Sequence, residues 1–189
     1  MSVQTTEFSS HETEIPGLIL FDISFPTDER GWFQEKYQKA KLAKAGLPKS
    51  FQVAQNNVSF NKARGVIRGF HAEPWDKYIS VITGKVFVAY LDLREGESFG
   101  KVYTNEIDST KAIFLPRGVA NAFQTLEDDT LYVYSTNDHW RADNYDKYVF
   151  VNLADPDVNV SWPIPLDQSI MSDRDKSHPS LSDVKPMVF

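Results

Sequence analysis

The segment RGVIRGFHAEPWDKYISVITGKVFVAYLDL, residues 64–93, decides the fold class. It contains three short runs rich in Val, Ile, Tyr and Phe, which favour strands, and polar or Gly-containing breaks separate them. We predict strands over 66–70, 78–82 and 85–93. The Thr83-Gly84 pair between the last two runs is typical of a tight turn, so we expect those two strands to form a hairpin.

Similar short runs recur along the rest of the chain. They predict strands over 18–25, 32–37, 51–60, 102–107, 112–115, 121–124 and 131–136, and only residues 39–46 have a helical pattern. Many short strands predict a mostly β protein with a jelly-roll barrel that can hold a ligand between its sheets. We expect one domain over residues 1–189, a flexible N-terminus over 1–14, and a C-terminal segment after Asp155 that wraps the barrel in short helical turns.

Composition excludes several classes of function. The net charge is −6 and no long basic run is present, which argues against nucleic-acid binding. The polar, acidic N-terminal residues and the absence of about 18 consecutive apolar residues predict neither export nor a membrane span. Because the chain has no cysteine, disulfides and cysteine nucleophiles are excluded, and a cytoplasmic location is expected. Catalysis must therefore come from His, Tyr, Lys, Ser or carboxylates.

Ionisable residues are unusually dense around the strand at 78–82. Alternation places Lys77 on the face of Ile79 and Val81, so an inward-facing Lys77 needs an anionic partner or ligand. The structural alternative is a lysine at the strand mouth whose amine reaches water. His71 and Tyr134 also have structural alternatives, because a lone His often only makes hydrogen bonds and a buried Tyr often only anchors its hydroxyl. Lys77 and His71 together suggest a site more strongly than either does alone.

The segments HAE (71–73) and PRGVAN (116–121) are similar to the two metal-binding motifs of the cupin superfamily. Those motifs supply His, His, Glu and a final His, but Glu73 and Asn121 stand in place of two of the histidines here. The histidines at 11, 71, 139 and 178 are too dispersed in the sequence to rebuild a three-His site. We expect no metal, although carboxylates could help an ion to bind.

Six collinear motifs identify a more specific resemblance. They are TDERGWFQE (27–35), QNNVSF (55–60), RGVIRGFHAEPWDKY (64–78), LDLREGESFG (91–100), LPRGVANAFQ (115–124) and SDRD (172–175). In order and spacing the chain resembles the dTDP-4-dehydrorhamnose 3,5-epimerases, a cupin-like family of L-rhamnose synthesis, from about residue 15 to 181. The HAEPWDKYIS and GVANAF variants resemble the branch of Gram-positive bacteria. Many members have His-Gly where this chain has Asn121-Ala122, so the phosphate contact of that His is not carried over.

The resemblance implies a role for each of a set of residues. His71 would be the general base, Asp175 the carboxylate that holds it, Tyr134 the general acid, and Lys77 the cation at the enolate oxygen. The residues that would hold the nucleotide and diphosphate are Arg30, Glu35, Gln55, Asn57 and Arg68. Arg30 and Glu35 are expected from the neighbouring subunit of a homodimer.

The chemistry of a 4-keto sugar explains why these residue types are needed. The keto group acidifies the protons at C3 and C5, so a base can leave an enolate whose charge a lysine stabilises. Inversion needs a separate acid on the other face of the ring. No hydride moves, so no cofactor is expected, and no GxGxxG motif follows a strand.

Strict alternation along the strand would place Arg68 and His71 on opposite faces, whereas the resemblance implies that both enter one pocket. A bulge at Gly69 would bring both side chains to the same face.

Two other functions stay open at this stage. A related sugar-nucleotide enzyme could epimerise one carbon or isomerise the ketone, since the number of inverted carbons depends on an unseen pocket shape. A cupin-like binding module without catalysis needs no acid and base across a ring, so the joint presence of His71, Lys77, Tyr134 and Asp175 disfavours it. The sequence leaves open whether the enzyme works beside a separate reductase.

Overall fold

The structure is a computed structural model that describes residues 5–189. The strands in chain order are β1 (Glu7–Glu12), β2 (Ile19–Ser24), β3 (Thr27–Asp28), β4 (Gly31–Trp32), β5 (Gln55–Asn61), β6 (Ile67–Ala72), β7 (Lys77–Thr83), β8 (Val86–Asp92), β9 (Val102–Ile107), β10 (Lys111–Leu115), β11 (Val119–Thr125), β12 (Thr130–Thr136) and β13 (Val149–Phe150). The α-helices are α1 (Lys39–Lys44) and α2 (Asp173–Lys176), and 3-10 helices span Ala142–Lys147, Leu166–Gln168 and Leu181–Asp183. Within residues 5–189 no helix is long and apolar enough to cross a membrane.

Two antiparallel sheets form the body of the molecule. The six-stranded sheet has the order β1-β2-β10-β7-β12-β5, and the five-stranded sheet has the order β13-β6-β11-β8-β9. Strands β3 and β4 form a separate two-stranded ribbon. The predicted mostly β, jelly-roll architecture is confirmed.

Apolar side chains fill three layers around these sheets. Between the sheets, Ile79 and Val81 of β7 lie in one buried cluster with Val88 of β8. A second layer, which includes Leu42 of α1, covers the outer face of the six-stranded sheet. Residues from 151–187 cover the outer face of the five-stranded sheet, as predicted for the C-terminal segment.

The Thr83-Gly84 turn does not close the predicted hairpin. β7 pairs with β10 and β12, whereas β8 pairs with β11 and β9, so the turn carries the chain from one sheet to the other. Gly84 has φ +82°, and a Cβ there would lie 2.3 Å from Thr130 Oγ1. Glycine is therefore required by the close approach of β12 as well as by the turn. A local turn signal does not specify which strands pair.

The strand predicted over 32–37 is wrong, because only Gly31–Trp32 forms a short strand there. The following segment runs irregularly and is held by its side chains. Gln34 Nε2 and Lys36 Nζ both donate to the Ser109 carbonyl oxygen, at 2.7 and 3.1 Å. The alternation of polar and aromatic residues in this segment therefore resembles a strand pattern, although the segment forms no ladder of backbone hydrogen bonds.

Residues 7–12, within the stretch expected to be flexible, form strand β1 paired with β2. β1 lies at a sheet edge and most of its side chains are exposed, so its sequence, EFSSHE, has no apolar alternation to reveal a strand. Residues 1–4 of that predicted stretch lie outside the described residues. The other predicted strands and α1 are present, most with ends within two residues, although the strand predicted from 51 begins at Gln55.

Strand β6 contains the bulge predicted at Gly69. The register with β11 shifts between Asn121 and Phe123, so His71 and Arg68, three residues apart, pair with residues only two apart. Gly69 has φ +134°, a conformation that L side chains rarely adopt. The extra residue places Arg68 and His71 on the same side of the sheet.

Candidate active site

His71 and Asp175 form a hydrogen-bonded pair beside the five-stranded sheet. His71 lies on β6, and its Nε2 is 2.9 Å from Asp175 Oδ1 of α2. The Ser172 hydroxyl oxygen caps α2 by accepting from the Asp175 backbone N–H at 3.1 Å. Burial raises the pKa of Asp175, but the hydrogen bond and charge of His71 outweigh it, so this pKa lies below its usual value. Asp175 is therefore a buried carboxylate that orients the His71 imidazole.

Aromatic and basic side chains from the C-terminal part of the chain close over this pair. Phe150 stacks on His178 with 4.8 Å between ring centroids and meets the His71 ring edge-on at 5.4 Å. The Arg174 guanidinium lies 4.1 Å from the centre of the Tyr145 ring. Burial, reinforced by His71, lowers the pKa of His178. Sequence reasoning missed these neighbours, because no motif distinguishes them.

Tyr134 and Lys77 lie together on the six-stranded sheet. Lys77 Nζ is 5.6 Å from the centre of the Tyr134 ring. Lys77 is only 4% exposed, and its ammonium pairs with the Glu73 carboxylate, which is the anionic partner that a buried Lys77 needs. Burial and then the charge of Glu73 raise the pKa of Tyr134, with Arg68 acting in the opposite direction. Tyr134 therefore keeps its proton at neutral pH.

The two sheets direct His71 and Tyr134 into the same space. His71 and Asn121 are directly opposed on β6 and β11, so their side chains share a face. The Tyr132 hydroxyl, from the six-stranded sheet, donates to Asn121 Oδ1 at 3.0 Å and crosses the gap. Because Tyr132 and Tyr134 share a face of β12, Tyr134 projects into this gap from the wall opposite His71. An imidazole and a phenol thus face one pocket between the sheets from two sides.

Three of the predicted binding residues lie around the same pocket. Asn57 of β5 is directly opposite Tyr134 of β12, and Gln55 Nε2 donates to Asn57 Oδ1 at 2.6 Å. Arg68 Nε donates to Asn61 Oδ1 at 3.1 Å. Asn61, which sequence reasoning missed, is 1% exposed and thereby fixes the Arg68 guanidinium at the pocket.

Arg30 and Glu35 do not join this cluster. Arg30 is exposed on the β3–β4 ribbon and pairs with Asp28 at 2.5 Å. Glu35 pairs with Lys41 at 2.5 Å. Within residues 5–189, neither side chain makes a hydrogen bond or ion pair with the His71 or Tyr134 groups.

The two residues that replace histidines of the cupin metal motifs, Glu73 and Asn121, are engaged in other contacts. Glu73 pairs with a lysine, and Asn121 accepts from a tyrosine hydroxyl, as described above. A different trio converges: His71, Asp175 and His178 place one possible ligand atom each within 4.8 Å of one another. The sequence separation of His71 and His178 is therefore misleading, because their ring centroids are 5.5 Å apart.

Comparison with known proteins agrees with this architecture. Residues 12–183 match the family model described as dTDP-4-dehydrorhamnose 3,5-epimerase. The chain is 53% identical to the protein RmlC homolog of Streptococcus pyogenes serotype M6, over 92% of this chain and 89% of that one. It is 32% identical to the dTDP-4-dehydrorhamnose 3,5-epimerase of Methanothermobacter thermautotrophicus, over 90% and 93% of the two chains. The structure of RmlC from Streptococcus suis in complex with dTDP-D-xylose superposes with a TM-score of 0.91 at 47% identity, covering 99% of this chain and 98% of that one. The chain therefore belongs to the dTDP-4-dehydrorhamnose 3,5-epimerase family.

Proposed function

We propose that this chain converts dTDP-4-keto-6-deoxy-D-glucose to dTDP-4-keto-L-rhamnose by inverting C3 and C5, and that it is therefore an isomerase. The observation that carries the proposal is the placement of His71 and Tyr134 on opposite walls of one pocket. Inversion of a carbon needs a base on one face of the ring and an acid on the other. The family and the dTDP-sugar bound by the Streptococcus suis protein support the substrate class.

His71 takes the proton in the first step. Its Nε2 faces Asp175, so the ring nitrogen left to accept a proton is Nδ1. The C–H bond at C3 or C5 breaks, its electrons move into the ring, and the 4-keto oxygen becomes an enolate oxygen. Asp175 stabilises the imidazolium that forms.

Lys77 and Tyr134 complete the reaction. The Lys77 ammonium is held at the pocket by Glu73 and compensates the negative charge on the enolate oxygen. Tyr134 then donates its proton to the opposite face of the same carbon, the keto group re-forms, and the configuration is inverted. Solvent restores the proton on Tyr134 and removes the one on His71. The product keeps its ketone, so formation of L-rhamnose requires a later reduction.

Arg68, Gln55 and Asn57 hold the nucleotide and diphosphate in this scheme. Arg68 is held beside the pocket by Asn61, and a guanidinium binds phosphate oxygens in a bidentate manner. Arg30 and Glu35, which lie apart from the pocket of their own chain, bind the nucleotide of a neighbouring subunit.

A homodimer is consistent with the surface of this chain. β1 and β5 are the two edges of the six-stranded sheet, and an edge strand can pair with a second chain. Val58 and Phe60 of β5 are 62% and 56% exposed, and Phe33 beside the β3–β4 ribbon is 70% exposed. Such exposed apolar residues favour burial against another chain.

The reaction is tested by incubating the protein with dTDP-4-keto-6-deoxyglucose in D₂O and following deuterium at each carbon by NMR. We expect deuterium and inversion at both C3 and C5. dTDP-glucose is the control, because it has no 4-keto group and should not exchange. Exchange at one carbon would indicate a monoepimerase, and no exchange would indicate a binding protein.

The subunit assignment is tested by mixing Arg30→Ala and His71→Ala chains, each inactive or weak alone, after denaturation and refolding together. If Arg30 acts on the partner's site, one site of each mixed dimer has an intact His71 and an intact Arg30, and activity should return. If Arg30 acts within its own chain, both sites are defective and no activity returns. A monomer in solution with undiminished substrate affinity would also refute the assignment.

A further inference from the structure

His178 is a buried imidazole that the proposed reaction does not use. Its side chain is 6% exposed, and within the described residues neither ring nitrogen has a hydrogen-bond partner of good geometry, although the Gly69 backbone is close enough to interact with the ring. A buried polar group without a partner is costly, so an unpaired imidazole requires an explanation. Its Nε2 lies 3.8 Å from Asp175 Oδ1, the atom that His71 Nε2 approaches to 2.9 Å.

These distances describe a preformed set of metal ligands. Two imidazole nitrogens and one carboxylate oxygen are a combination that Zn²⁺ and similar first-row ions prefer, with bonds of about 2.0–2.2 Å. Donor atoms around such an ion stand about 3–3.5 Å apart at these bond lengths. The separations from Asp175 Oδ1, 2.9 and 3.8 Å, lie near this spacing, and all three donor atoms lie within 4.8 Å of one another, so the two imidazoles need to approach by at most about 1.5 Å.

The surroundings restrict how far these ligands can move. Ser172 caps the short helix that carries Asp175, and Phe150 stacks on His178. Neighbours that fix ligand orientation typically contribute substantially to metal affinity. The side of the trio that faces the pocket stays open through His71, which is only partly buried.

We propose that His71, Asp175 and His178 form an inhibitory site for one divalent transition-metal ion, with Zn²⁺ as the representative ligand. The inhibition, though not the binding, rests on the proposed function. An ion on His71 Nε2 requires a neutral imidazole whose proton is on Nδ1, so the nitrogen that should accept the substrate proton becomes a donor. The ion also takes Asp175 away from the imidazole. Zn²⁺ would thus stop deprotonation without touching Tyr134 or Lys77.

The experiment measures Zn²⁺ binding and activity separately on chelator-treated full-length protein. Calorimetry with Zn²⁺ should give one site per chain, Co²⁺ should give a visible spectrum of a low-coordinate nitrogen and oxygen site, and Zn²⁺ at that stoichiometry should stop turnover. His178→Gln should weaken Zn²⁺ binding and inhibition at least about tenfold. Each variant's inhibition is referred to its own metal-free rate. His178→Cys, which offers another zinc ligand, should restore binding.

His11→Gln is the matched control. His11 also faces a carboxylate, Asp22, at 2.7 Å, but both are exposed and no third ligand among residues 5–189 joins them. Its loss should leave Zn²⁺ binding and inhibition unchanged. Unaltered Zn²⁺ affinity in His178→Gln, or failure of the parent protein to bind Zn²⁺, would overturn the proposal. If Zn²⁺ binds as expected but no substrate turns over without it, the proposed function fails instead.

Discussion

The two walls of the pocket hold the proposed proton-transfer groups, His71 and Tyr134, in different ways. On the five-stranded sheet, His71 depends on Asp175, a residue 104 positions later that the C-terminal segment delivers. On the six-stranded sheet, Tyr134 is placed by the neighbouring strand β7, whose Lys77 adjoins its ring. The base wall is thus assembled from distant parts of the chain, and the acid wall from adjacent strands.

The charged groups beside His71 and Tyr134 differ in a way that fits the role proposed for each residue. Asp175 is hydrogen-bonded to the His71 imidazole at 2.9 Å, an arrangement that orients the ring of the proposed base. Burial and Glu73 instead keep Tyr134 protonated, as an acid requires before it donates. The difference indicates that each wall is suited to one direction of proton transfer, and each prediction below tests one wall against the other.

The largest effect is expected on the base wall. His71→Ala removes the proton acceptor, so solvent exchange and product formation should both fall by at least the roughly 10²–10⁴-fold typical of general acid–base groups. Both are measured by NMR in D₂O. His139→Ala, an exposed histidine, is the control and should retain both rates. Exchange that persists in His71→Ala would assign the base to another residue.

The acid wall should respond differently. Tyr134→Phe keeps the ring and its packing but removes the proton donor. His71 can still remove the proton, and the enolate beside Lys77 can be reprotonated from the side that it left. Exchange with solvent should therefore become faster than inversion. Equal losses in both rates would indicate structural damage, and inversion at the parent rate would defeat the mechanism.

A smaller effect is expected when Asp175, the carboxylate beside the proposed base, is replaced. Asp175→Asn leaves the imidazole in place but removes the charge that orients it. Carboxylates that orient a metal-bound histidine contribute about 10–100-fold, and we expect kcat to fall by a similar factor with little change in KM. Asp173→Asn, an exposed carboxylate of the same helix, is the control. A change in KM alone would contradict an orienting role.

Sequence analysis predicted local features better than strand pairing, for a physical reason. Lys77, Ile79 and Val81 share a face because alternation along a strand is local, and the bulge at Gly69 followed from the need to place Arg68 beside His71. Pairing partners are not local, so the turn after β7 was wrongly predicted to close a hairpin.

The missed residues lie where several separate segments meet. His178 and Phe150 contact the base only through the wrapping of the C-terminal segment, and no periodicity in that segment specifies its path. Asn61 fixes Arg68 across two strands that belong to different sheets. The roles of His71, Asp175 and Tyr134 came from motif resemblance, and the predictions above test them directly.

The smallest effect concerns the alkaline limb of the pH–rate profile, which reports the acid wall alone. Tyr134 donates only while protonated, so activity is lost as the pH rises through its pKa, which burial and Glu73 raise above the usual value of 10. Glu73→Gln removes the negative charge that favours the protonated form. It also leaves the Lys77 ammonium, 5.6 Å from the ring centre, without its counterion, and an unpaired cation favours the phenolate. Both changes act in the same direction, so the alkaline limb should move to lower pH.

Glu106→Gln, which removes an exposed glutamate 3.4 Å from Lys85, is the control and should leave the alkaline limb in place. A limb that stays fixed or rises in Glu73→Gln would show that Tyr134 does not limit the reaction at high pH, and the contrast between the two walls would then rest on the base alone.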